Sequence, residues 1–210
     1  QGKRYLQLHQ FESALKYFQA AQKQNPSDSL TYPYLIVCHG KLNQHELADQ
    51  AFTKAMKLKK NDLTTLMAYG FLNVEHRRFD RAINCFTKVT HFAPKRTIAY
   101  YALAVSLYEL TNMVEAYKQL IKCIDLDPNF IDAHDLLAKI LIHNKRFDKA
   151  YVVLRKIVEL SGGTHPQGEV LFNLALVCKR LGRQDEFEEY KTLALKQNLT
   201  EHMRQVLMGA

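Results

Sequence analysis

The sequence predicts an all-α array of stacked helical repeats, and three observations carry that expectation. Apolar residues return every 34 positions: Ala14, Ala48, Ala82, Ala116 and Ala150 form one column, and Phe18, Phe52, Phe86, Leu120 and Leu154 form a second. A third column runs Ala21, Ala55, Val89, Cys123 and Ile157. Five registers without a slip are far beyond chance, and a period of this length is the mark of a repeat architecture. Lastly, Asn25-Pro26, Pro94 and the run Asp125 to Asn129 close three of the units, because proline cannot donate the next helical bond and turns the residue before it out of the helix. Stacked units share one elongated core in which each repeat touches mainly its neighbours, so a single solenoid domain is expected.

The unit is clearest from Leu63 to Pro94, where Leu66, Tyr69-Gly70, Phe79, Ala82, Phe86 and Pro94 mark its bulky, small and turn positions. In these residues the chain resembles the tetratricopeptide repeat, two antiparallel helices in 34 residues. The resemblance covers nearly the whole chain, with five strong repeats and a weaker sixth. It implies a right-handed superhelical solenoid of antiparallel helix pairs. The first helix of each pair would line the concave face and the second the convex face. Members of the family typically act as non-enzymatic scaffolds, adaptors or co-chaperones.

In order, a partial repeat covers residues 1–28, with Gly2, Tyr5 and Phe11 at the family's small and aromatic positions and a second helix from about Glu12 to Gln24. The next, 29–62, starts near the potential N-caps Asp28 to Thr31. Pro33 is tolerable only in a first turn, so its first helix should begin late. After a turn at Leu42 to His45, the second helix points Ala48, Phe52 and Ala55 inward, with Lys54, Lys57, Lys59 and Lys60 toward solvent or the helix end. Repeats 63–96 and 97–130 keep the pattern, the latter through Tyr100, Leu103-Ala104, Leu107, Ala116 and Leu120. Repeat 131–163 places His134 where an aromatic is usual. The period then breaks at a Gly- and Pro-containing loop, Ser161 to Gly168, which adds three residues. Repeat 168–197 resumes with Leu171, Leu174-Ala175 and Cys178, but Phe187 replaces the small alanine. In 198–210, Leu199, Met203, Val206 and Leu207 share one face of a capping helix.

Composition limits the rest. With 47% hydrophobic residues among 210, the chain can bury a sizeable core, and its longest uncharged runs, about twelve residues, are too short to span a membrane. The four cysteines, Cys38, Cys85, Cys123 and Cys178, show no metal or redox spacing and fit a reducing, cytoplasmic compartment. A net charge of +8 allows an acidic protein, an anionic membrane face or nucleic acid without choosing among them. The chain opens at Gln1 inside a repeat, so an upstream segment is expected, and the apolar edge left there would be sealed by upstream helices or by self-association with another copy. Catalytic signatures, cofactor fingerprints and metal-ligand constellations are absent, so neither enzyme activity nor a cofactor is expected. His39, His45 and His134 sit at core or turn positions and should pack, whereas His76, His91, His143 and His165 should be solvated. Asn198-Leu199-Thr200 matches a glycosylation sequon but reads as a helix junction.

The functional signal is missing charge. Ser29 to Gly40, Leu63 to Val74 and Thr97 to Tyr108, the first helices of three repeats, contain no charged residue. Given the concave placement that the resemblance implies, the positions left over from the repeat columns are Tyr34 and Val37, then Met67, Phe71 and Val74, then Ile98, Tyr101, Val105 and Tyr108. Together they should form an apolar, tyrosine-rich groove for an apolar or amphipathic segment of a partner protein. Beyond it the concave positions turn polar, with Asp132, Asp135, Lys139 and His143, then Glu169, Asn173, Lys179 and Arg180. Lys139 is included among the partner-binding residues, since a charged end would set a ligand's direction.

The best-known subgroup of the family clamps acidic chaperone tails with lysines, asparagines and an arginine. The matching positions here are Met67, Phe71, Ala102, Asp132 and Leu136, or one repeat earlier Pro33, Val37, Ala68, Ile98 and Ala102. Chaperone tails are therefore not expected as ligands. A second reading is RNA or another polyanion bound along a basic turn edge through Arg77, Arg78 and Arg146. A third is that the chain is the repeat region of a larger enzyme or assembly.

Overall fold

The computed structural model describes residues 1–162 and 168–209. The described residues form thirteen helices and no strand, as predicted, and gather into two compact units, Gln1–Ala116 and Tyr117–Ala210.

The first unit contains α1 (Gly2–Gln7), α2 (Phe11–Gln24), α3 (Tyr32–Lys41), α4 (His45–Leu58), α5 (Leu63–Glu75), α6 (Phe79–Phe92), α7 (Thr97–Glu109) and the first turn of α8 (Met113–Leu126). Three residues join α1 to α2, α3 to α4 and α5 to α6, and connections that short make antiparallel neighbours. Each pair packs on the next, and α5 is covered by α3, α4, α6 and α7. The alanine column exists because helices must approach closely there: Ala14, Ala48 and Ala82 are wholly buried, as is Phe86. Gly70 serves the same purpose, since a Cβ built on it would lie 2.7 Å from the Phe86 ring. Pro33 does fall in the first turn of α3, which begins at Tyr32.

Each three-residue turn is closed in one way. Its middle residue has a left-handed backbone: His9, Asn43, Arg77, Thr111 and Lys145, then Gly182 after the insertion. The residue after it donates its N–H to the carbonyl five positions back, as in Gln44 to His39 and Arg78 to Asn73, each closing the end of a helix. Three of the helix starts share a second device. The hydroxyls of Tyr32 and Tyr100 donate to the carbonyls of Pro26 and Pro94 (3.1 Å each), and His134 Nε2 lies 2.9 Å from the carbonyl of Pro128. His134 thus stands in for the tyrosine of its column, which explains its burial.

The second unit holds the remainder of α8, with α9 (Ile131–His143), α10 (Phe147–Leu160), α11 (Gly168–Arg180), α12 (Gln184–Leu195) and α13 (Glu201–Met208). α11 packs on α10, α12 and α13. Phe187 takes the place of the missing alanine and is buried, with Lys179 and Lys191 above its ring. Leu199 and Leu207 are buried against the end of the stack, and Thr200 caps α13 by accepting from the Met203 N–H, so the sequon is a helix junction. Most of the expected 161–168 loop lies outside the described residues, as does His165.

Candidate functional site

The faces of α3, α5 and α7 in the first unit carry nine of the ten predicted partner-binding residues. Phe71 is 43% exposed and Ile98 36%. Val37, Val74, Tyr101, Val105 and Tyr108 are half-buried. Tyr34 is also half-buried because its ring stacks on Phe18 of the preceding repeat (centroids 4.7 Å apart) and Lys3 sits over it. Met67 is a correction: at 6% exposure it belongs to the core. The reason is the position of α5, which neighbours cover on several sides, leaving less free surface than a one-face reading of the helix allows. Phe71 and Ile98 are thus the most exposed of the nine, and no charged side chain interrupts the stretches between Ser29 and Gly40, Leu63 and Val74, or Thr97 and Tyr108.

The tenth residue, Lys139, is in the second unit and held by carboxylates. Its Nζ lies 2.9 Å from Asp135 and 3.0 Å from Glu169. Burial by itself lowers the Lys139 pKa, but the hydrogen bonds and charges of those two residues outweigh it and leave the ammonium above its ordinary value. Lys139 is an internal clasp between α9 and α11 rather than an open cation.

The basic turn edge is also partly neutralised. Arg77 pairs with Glu109 (3.1 Å), and Arg78 and Arg81 converge on Asp49 (3.8 and 2.7 Å). His76, expected in solvent, is instead half-buried, its ring meeting His45 edge to face at 4.3 Å. His39 is buried and bonded to Gln44 (2.7 Å). Sequence reasoning missed the Asp49 cluster because Asp49 lies on α4, Arg78 in the turn before α6 and Arg81 on α6. The signal for it was weak: an acid on the second helix of one repeat and arginines at the turn of the next.

All four cysteines are buried thiols, and burial pushes Cys38, Cys85 and Cys178 up to about 11, away from the reactive thiolate. Among the described residues no cluster of three or more metal-ligating side chains occurs, and no helix is long and apolar enough to cross a membrane.

Family comparisons agree with this fold. The tetratricopeptide-repeat model matches residues 37–62, and the model of anaphase-promoting complex, cyclosome, subunit 3 matches residues 75–157. The chain is a tetratricopeptide-repeat protein. This tetratricopeptide-repeat chain is 26% identical over 148 residues to Hsp70-Hsp90 organizing protein 1 of Glycine max, covering 70% of itself and 24% of that protein. It is also 26% identical over 121 residues to the BBSome complex member BBS4 of Bos taurus, covering 58% of itself and 23% of that protein. It thus spans about a quarter of the length of these curated relatives. Among solved structures, PilF of Pseudomonas aeruginosa superposes with a TM-score of 0.82 at 18% identity, covering 99% of this chain and 93% of PilF, a likeness of fold alone.

Proposed function

We propose that the chain is a non-enzymatic interaction scaffold whose first unit binds an apolar or amphipathic segment of a partner protein across α3, α5 and α7. The observation that carries this reading is the exposure of Phe71 and Ile98 on helices that carry no charge before their last residue. Exposed apolar side chains that gather into one patch are unfavourable in water unless something covers them. The half-buried tyrosines around it combine apolar area with a polar tip, as interface centres do. The family, whose members carry protein-interaction repeats, supports the same class of function. The similarity to an Hsp70-Hsp90 organizing protein does not restore a chaperone-tail reading, because the clamp positions hold Met67, Phe71 and Ala102 rather than cations and amides. The polyanion reading is weakened by the pairing of Arg77, Arg78 and Arg81 with Glu109 and Asp49. The buried thiols favour a reducing compartment.

The test is selection of displayed peptides on the 210-residue chain, followed by binding to Phe71→Asp and Ile98→Asp. Both side chains are exposed enough for the variants to fold, which circular dichroism would verify. The expected result is enrichment of amphipathic peptides whose binding both variants abolish. Peptides that bind the two variants as well as the wild type would refute the groove.

A further inference from the structure

The ends of the first helices carry a charge column at the repeat spacing: Lys41, Glu75, Glu109, His143 and, after the three-residue insertion, Arg180. Beside it runs the turn column that includes Arg77 and Lys145. In the first unit these charges are paired, Lys41 with Glu75 within the first column (2.6 Å) and Arg77 with Glu109 between the two (3.1 Å). The equivalents of Arg77 and Glu109 in the second unit are Lys145 and Arg180, so two cations stand where an ion pair stood. Together with His143 they rim a cavity of about 420 Å³ whose other walls are Ile142, Phe147, Leu176 and Val177. Among the described residues the side chains of His143, Lys145 and Arg180 make no ion pair or hydrogen bond. The carboxyl ends of α9 and α11 offset part of the repulsion through their dipoles, but a helix end supplies only about half a charge.

We propose that this cavity binds an acidic peptide segment, with Lys145, Arg180 and the His143 ring holding a carboxylate while the apolar side chain next to it enters the cavity. The site is separate from the groove on the first unit and does not depend on it. A cation pair lacking its acid calls for a carboxylate, which a guanidinium binds with directional, charge-assisted hydrogen bonds. The apolar walls call for an aliphatic neighbour, and the volume is at the small end of ligand pockets. A nucleic acid would need a run of cations along its phosphates, whereas this rim offers two permanent charges around an apolar floor. The carboxylate has two sources, a glutamate side chain or the free end of a chain.

Fluorescence anisotropy on the full chain separates these possibilities with four labelled probes. They are a peptide with an internal leucine-glutamate pair, the same peptide with glutamine, a peptide ending in leucine with a free carboxylate, and a single-stranded RNA. One or both carboxylate peptides should bind and the glutamine peptide should not. Arg180→Glu recreates the pairing of Arg77 with Glu109, so it should raise the thermal midpoint while weakening binding at least about tenfold. Phe71→Asp should leave this binding unchanged, which keeps the outcome distinct from that of the groove. No peptide binding at millimolar concentration, binding that survives Arg180→Glu, or binding of the RNA alone would overturn the proposal.

Discussion

Asp49 and Tyr69, on different helices and 20 residues apart, are joined by a 2.7 Å hydrogen bond from the phenol to the carboxylate. Arg81 donates to the other carboxylate oxygen at 2.7 Å, so one acid on α4 ties α5 and α6 to the preceding repeat. Burial by itself raises the Asp49 pKa, but the bonds from Tyr69 and Arg81, with the charges of Arg81 and Arg78, outweigh it and hold the carboxyl below its ordinary value. A depressed acid stabilises the fold fully above the ordinary carboxylate pKa of 3.8, and that contribution is lost as pH falls through the lowered folded value. Asp49→Asn should destabilise by ~1 kcal/mol at neutral pH, a modest figure because solvent screens the partly exposed side chain. Urea unfolding at pH 7 and pH 3 checks it: the gap between variant and wild type should shrink in acid.

The His45–His76 contact sets a second pH response. Burial, then the neighbouring His76 and Arg78, lower the His45 pKa against a smaller opposing pull from Asp49. A histidine depressed in the folded state leaves stability intact above its ordinary value of 6.5, and stability declines as pH falls below that toward the folded value, because the unfolded chain takes up the proton first. Phe79 and Phe147 occupy the equivalent place in other repeats, so His45→Phe should flatten the stability profile between pH 7 and pH 5. An unchanged slope would show that the contact does not titrate with folding.

Thr111 has φ of 61°, a left-handed backbone at a β-branched residue. Its counterpart in the last repeat, Gly182, adopts φ of 71° without that strain. Left-handed geometry costs an L side chain roughly 1–2 kcal/mol, part of which glycine returns as extra freedom of the unfolded chain. Thr111→Gly should therefore stabilise by ~0.5–1 kcal/mol and Gly182→Ala destabilise by a similar amount, both measurable by denaturant midpoint.

Gly40 and Gly70 test how rigid the packing is. A Cβ on Gly40 would meet Leu72 Cδ1 at 2.0 Å, the end of an aliphatic side chain with its own rotamers, whereas on Gly70 it would meet the fully buried, rigid Phe86 ring at 2.7 Å. Overpacking a fixed ring costs about 1–3 kcal/mol, against a helix gain of up to about 1 kcal/mol. Gly70→Ala should thus be the more destabilising of the two by thermal unfolding. The reverse order would mean that Phe86 yields and Leu72 does not.

Much of the fold was legible because the repeat columns report packing between adjacent helices, which depends on spacing along one chain. The alanine and phenylalanine columns, the late start of α3 and the capping face of α13 all followed from that spacing. Met67 was misplaced because burial of one helix by several neighbours does not appear in its own periodicity. His76 was misplaced because its partner, His45, lies 31 residues away on another helix. Lys139 looked available because its acids, Asp135 and Glu169, belong to two helices whose closeness the charge pattern alone does not reveal.

The sequence by itself determined the helical repeat, its 34-residue period and the uncharged stretches Ser29 to Gly40, Leu63 to Val74 and Thr97 to Tyr108, since each is a property of local spacing and composition. Only the tertiary structure decided which apolar positions remain exposed and which charges remain uncompensated. Phe71 and Ile98 stay open while Met67 is covered, and Arg77 finds Glu109 while Lys145 faces a cavity rimmed by Arg180. Those outcomes depend on distances between residues far apart in the chain, and Coulomb and contact energies follow distance in space rather than separation in sequence.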